Sequence, residues 1–184
     1  MNLKNWFDYS LREYNLVIPN NFISTGGAND NVSPVDGSLF SINNIGVLYP
    51  FQFGVTPVNV DFEISCHCLS SFDVYNDGEG GIGLIPVGSP MGLYSPKFHR
   101  IALGGSRSSL LVNENLIFDV DEHIFLDCRI VRQNGFLSFY GFDESTKKWV
   151  LHHKTNVQFN ESFNLMAYAY LRGGVTDVKF KTFL

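Results

Sequence analysis

The chain has 184 residues and a formal net charge of −5, with 13 Lys and Arg against 18 Asp and Glu. The basic residues are scattered, which excludes the electrostatic footprint of a nucleic-acid binder and a polybasic membrane patch. Composition is 45% hydrophobic and 17% charged, which excludes a disordered chain and suits a single domain. The 17 Phe, 8 Tyr, 17 Gly and 7 Pro favour strands and tight turns.

The N-terminus, MNLKNWFDYSLREYNLVIPNN, lacks the uninterrupted apolar core of a signal peptide. No stretch approaches the ~18 apolar residues of a membrane span. A chain synthesised in the cytoplasm without a signal peptide, with no membrane insertion, is therefore expected. Within residues 5–16, Phe7, Leu11 and Tyr14 stand at helical spacing with Asp8 near the start. This predicts a short helix or an extended arm, then an Asn- and Gly-rich loop to Pro34. Residues 1–36 are read as an N-terminal arm and loop packed on a domain of residues 37–184.

From residue 37 the pattern is short alternating segments: GSLFSI, IGVLYPF, VNVDFEISCHCL, GIGLIPV, FHRIALGG, SSLLV, NLIFDV, EHIFLDCRIVRQ, GFLSFYGF, KWVLHHK, FNLMAYAYL and VTDVKFKTF. Turn signals such as Asn134-Gly135 and DESTKK separate them. No helical period lies between them, which excludes βαβ units. The fold class is all-β, a two-sheet antiparallel jelly-roll sandwich.

Alternation puts Val58, Val60, Phe62, Ile64, Cys66 and Cys68 on one face of the first long strand. It does the same for Ile124, Leu126, Cys128 and Ile130 in IFLDCRIV. All three cysteines are thus expected as buried, unpaired thiols. Cys-x-Cys with His67 on the opposite face is a poor metal cage. The outward faces carry His67 in one strand and Phe125, Asp127 and Arg129 in the other.

Between these strands stands SSFDVYNDGEGGIGLI, residues 70–85. GEGGIG matches G-x-G-x-x-G, but Pro86 and Pro90 oppose the helix that a dinucleotide site needs. In DVYNDG, Asp73, Asp77 and Gly78 occupy positions one, five and six of an EF-hand loop. Tyr75 at three and Leu84 at twelve break that pattern. Asp73, Asp77 and Glu79 have the oxygens to meet a hard cation in another geometry, and as turn residues they need none. Residues 73–83 are read as a rim loop with which calcium is compatible but not required. No other cofactor is expected.

The stretch CRIVRQNGFLSFYGFDESTKKWVLHHK resembles the concanavalin A-like lectin/glucanase superfamily, which includes laminin-G-like and carbohydrate-binding modules. The resemblance rests on Arg129, Arg132, Asn134-Gly135, Leu137, Phe139, Tyr140 and Trp149. It covers residues 124–183 and more loosely 58–85. FDVYND is similar to the calcium loop of legume lectins, although it is too short for their paired metal site. The superfamily's hydrolases use a Glu-x-Asp-x-(x)-Glu strand. Asp61 and Glu63 have no third acid at that spacing, and Asp119, Asp121 and Glu122 have no bracketing Glu. His152 and His153 point to opposite faces, and His67, His99 and His123 are single residues of surface or hydrogen-bonding type.

A non-catalytic sugar binder is therefore expected. Its aromatic faces stack on pyranose rings and its polar groups take the hydroxyls. The candidate contacts are Tyr168, Tyr170, Arg129, Asp127 and His67 on one exposed sheet face, with Tyr75, Asp77 and Tyr94 at its rim. The partner is a glycan or polysaccharide, and the setting a phage tail, baseplate, fibre or other virion adhesion assembly facing outward. Further partners there are copies of the chain or other virion subunits. The alternative is a structural or decoration protein of a particle, docking on neighbouring subunits with no glycan ligand.

Overall fold

The computed structural model describes residues 14–15, 32–35, 38–41, 48–69, 79–90, 97–104, 107–113, 115–120, 125–170 and 174–183, and every regular element among them is a strand. In chain order they are β1 (Tyr14–Asn15), β2 (Val32–Val35), β3 (Ser38–Ser41), β4 (Leu48–Val55), β5 (Asp61–Leu69), β6 (Glu79–Pro86) and β7 (His99–Gly104). There follow β8 (Arg107–Val112), β9 (Asn115–Val120), β10 (Asp127–Gln133), β11 (Phe136–Asp143), β12 (Lys148–Lys154), β13 (Phe163–Tyr170) and β14 (Gly174–Phe183). They make two antiparallel sheets. The larger runs β12-β11-β10-β5-β14-β3-β2 with β1 beside β14, and the smaller runs β4-β13-β6-β7-β8-β9. This is the expected jelly-roll sandwich.

The core follows from alternation. Phe62, Ile64, Cys66 and Cys68 of β5 and Cys128 and Ile130 of β10 point inward and are buried. They meet Ile82, Leu84, Ile101, Leu103, Phe163 and Leu165 of the smaller sheet in one cluster. Phe62 and Phe163 touch edge to face across the sandwich, their ring centroids 6.4 Å apart. The β10–β11 hairpin turns on Asn134 and Gly135, whose φ angles of 51° and 80° are the paired positive values of a type I′ turn. In the next hairpin the Asp143 carboxylate accepts hydrogen bonds from Ser145 and Thr146, which hold its pKa down to about 2.

Arg132 continues the inward parity of β10 and is 1% exposed. Its guanidinium donates to the carbonyls of Val60, Pro57 (3.0 Å) and Glu161 (2.7 Å) and lies over Phe62. It ties together chain segments at one end of the sandwich.

Several expectations are corrected. Tyr14 pairs with Phe180 as a strand residue, so the helical reading fails there and the extended one fits. Val58 is 59% exposed because 58–59 form a turn, with Asn59 at φ 56°, and β5 starts only at Asp61. Phe125 is buried in the core, because β10 starts at Asp127 and its alternation does not reach back that far. Residues 79–83 are not a rim loop but part of β6, paired to β13 and β7. Their glycines answer to crowding: a Cβ at Gly81 would overlap the Ile101 carbonyl, and one at Gly83 would strike the Phe98 ring. Phe98 with Ile85, Ala102 and Met166 makes a second buried cluster, of parity opposite to the main core. His99 is neither a surface residue nor hydrogen-bonded. Both ring nitrogens are buried without a partner, between Phe159 and Phe163.

Candidate functional site

The outward face of the larger sheet carries the polar groups that the core rejects. The register aligns Asp127 with His67, Arg129 with Ser65 and with Tyr140, and Lys181 with Glu63. Residues directly opposite on neighbouring strands share a face, so a band of polar and aromatic side chains runs across β12, β11, β10, β5 and β14.

Two networks organise it. His67 Nδ1 pairs with Asp127 Oδ1 at 2.8 Å, and the two side chains keep 34% and 36% of their surface exposed. They are oriented but accessible. Beside them Glu63, only 12% exposed, receives Arg129 at 3.3 Å and Lys181 at 2.9 Å. Arg129 also lies against two aromatic rings, 4.7 Å from the centroid of Tyr140 and 4.4 Å from that of Trp149. Trp149 is held edge to face by Phe142. A planar guanidinium suits both a carboxylate and an aromatic face, where a lysine would not.

Between these groups lies a depression of about 280 Å³ lined by Ser65, His67, Asp127, Trp149, Asp177 and Lys179. Asp177 reaches it because the β14–β5 register shifts between Thr176 and Lys179, and Asp177 adopts φ 52° at that bulge. A bulge re-aims a side chain in this way. The depression offers an indole, carboxylates, an imidazole and an ammonium around a small open volume. That set has the chemistry to stack on a ring and to hydrogen-bond hydroxyls. Its two carboxylates are Asp127, which is paired with His67, and Asp177 at the bulge, while Glu63 beside the pocket is held by Arg129 and Lys181.

The structure therefore joins three of the expected contacts, His67, Asp127 and Arg129, on one face. It does not join Tyr168 and Tyr170 to them. Those two stand on β13 of the smaller sheet, opposite Gly81 and Glu79, so the expectation of a single face holding all five is corrected. Both tyrosines fell on the same parity as each other, but parity within a strand does not say which sheet the strand joins. Asp73, Tyr75, Asp77 and Tyr94 lie outside the described residues, and Glu79 is described only as backbone in β6. The sequence reading missed Glu63, Asp177, Lys179 and Lys181 as members of this face and gave Trp149 no binding role. Alternation from His67 back to Ser65 and Glu63 carried a signal for Glu63. The bulge that delivers Asp177 had none.

No protein-family model matches the chain, and no curated protein sequence matches it. Solved structures do. Lectin UEA-II complexed with galactose superposes with a TM-score of 0.64 at 14% identity, over 94% of this chain and 98% of that one. The fold is that of the concanavalin A-like lectins. Lectin II from Ulex europaeus gives 0.62 at 14% identity over 94% and 97%. The exoplasmic/lumenal domain of VIP36, in its Ca2+/Man3GlcNAc-bound form, gives 0.58 at 11% identity over 89% and 83%. At such identities the likeness covers the fold alone.

Proposed function

We propose that the protein is a non-catalytic glycan-binding module whose sugar seats in the depression on the outward face of the larger sheet. The observation that carries this is the placement of Asp127, His67, Asp177 and Lys179 around Trp149 in an open pocket of a lectin fold. Trp149 supplies the apolar face for a pyranose ring, and the charged groups accept from or donate to its hydroxyls. Arg129 and Glu63 act one layer back, holding the indole in place. The galactose complex of lectin UEA-II and the Man3GlcNAc-bound form of the VIP36 domain support a saccharide as the ligand class.

The setting is a virion or tail-like assembly that presents several copies of the chain to host-surface glycans. Single sites of this openness bind weakly, and linked copies raise the effective affinity by orders of magnitude. Calcium is compatible with the stretch that holds Asp73, Asp77 and Glu79 and is not required by the pocket around Trp149. Among the described residues the only group of His, Cys, Asp or Glu close enough to share a metal is Cys66, Cys68 and Cys128.

A glycan array probed with a multimerised chain tests the reading, with calcium and with chelator. Trp149→Ala with Asp127→Ala is expected to lower retention at least tenfold, while Tyr168→Ala with Tyr170→Ala retains it. The reverse pattern moves the site to the smaller sheet. No retention by any protein, with tight binding to a particle subunit, gives the case to the decoration reading.

A further inference from the structure

Three cysteines from two neighbouring strands converge in the core. Cys66 and Cys128 are register partners across β5 and β10, and Cys68 lies one step along the same inward face. The sulfurs of Cys66 and Cys128 are 3.5 Å apart, those of Cys68 and Cys128 3.5 Å, and those of Cys66 and Cys68 3.9 Å. All three thiols are free and buried. A thiophilic ion about 2.3 Å from each sulfur spreads its ligands to about 3.7–4 Å, so the triangle already has nearly the size such an ion requires. The reading of these residues as separate core thiols misses this, because spacing within one strand does not show that Cys128 faces Cys66 from the next.

We propose that Cys66, Cys68 and Cys128 form a three-sulfur site for a soft, three-coordinate ion. Zinc is disfavoured because its structural sites are four-coordinate, and no fourth His, Cys, Asp or Glu joins the group among the described residues. Soft thiolates select soft ions. Within that class, net charge decides. The cluster lies in the apolar core with Ile64, Ile130, Leu103 and Val175, and a buried charge without a partner is costly. The flanking His67 and Asp127, on the outer face, pair with each other. A monovalent ion on three thiolates leaves two negative charges, and a divalent ion leaves one. Trivalent arsenic leaves none: As(OH)3 and three thiols condense to a neutral As(SR)3 and three waters, with arsenic remaining trivalent throughout.

The test uses the full chain, reduced with a phosphine and incubated with arsenite long enough for the core to open. Native mass spectrometry is expected to show one arsenic per chain with three waters lost. Thiol titration after denaturation should find all three cysteines blocked, and the melting temperature should rise, since a ligand of the native state stabilises it. Cys66→Val, Cys68→Val and Cys128→Val should each lower affinity at least tenfold. Arsenic absorption spectroscopy on the unmutated chain counts the sulfurs directly, and so decides the matter even if a variant fails to fold. Two sulfurs instead of three, no adduct, an adduct that lowers the melting temperature, or an equally tight 1:1 complex with zinc would each overturn the proposal.

Discussion

His99 sits with both ring nitrogens buried and unpaired, and burial depresses its pKa to about 4. In the unfolded chain it titrates near 6.5. Between those values the unfolded state binds a proton that the folded state refuses. Its contribution to stability is therefore complete above pH 6.5 and is lost as pH falls towards 4, about 3 kcal/mol in all. His99→Phe should flatten that part of the stability profile, read as urea midpoints from pH 7 to 4. An unchanged slope would show that His99 is protonated or solvated in the native state. Arg132 poses the converse case, a buried cation that three backbone carbonyls require. Lysine cannot reproduce the fork. Arg132→Lys is expected to cost about 2–3 kcal/mol through orphaned carbonyls, visible as a lower urea midpoint at unchanged m-value.

Strand β6 shows where local pattern and tertiary need part company. GEGGIG reads as a loop because glycine is rare in strands, yet Gly81 and Gly83 lie in a strand with neighbours on both sides. They are small because the Ile101 carbonyl, Ala102 and the Phe98 ring leave no room for a Cβ. That reason is written in β7 and in the residues before it, not in β6. Strands β5 and β10 were legible because burial on one face alone produces their alternation, and the Asn134-Gly135 turn because its chemistry is local. Phe125 was misplaced by running that alternation two residues past the strand's start. Gly88 makes a control for β6, since it lies at φ 87° and a methyl group added there would meet nothing within 4 Å. Gly81→Ala should therefore destabilise the protein more than Gly88→Ala, whose cost is backbone strain of about 1 kcal/mol. Thermal melts of the two variants side by side decide it, and equal losses would mean that β6 relaxes away from β7.

At the scale of the whole molecule, the sandwich divides the expected contacts between its two sheets. One sheet places His67, Asp127, Arg129, Glu63 and Trp149 on a shared outward face, and the other carries Tyr168 and Tyr170 on a different strand set. The lectin-like fold was legible from the hairpin at 128–154, whereas the membership of the site depended on sheet order and on a bulge, neither of which a single strand's pattern contains. The central claim is that a sugar rests on Trp149. The chain has two tryptophans, so Trp6→Phe leaves Trp149 as the sole indole reporter. Titrating that variant, multimerised, with a glycan retained on the array should change the Trp149 emission saturably, and Asp127→Ala should abolish the change. Retention of the same glycan with constant Trp149 emission, unaffected by Asp127→Ala, would contradict the account.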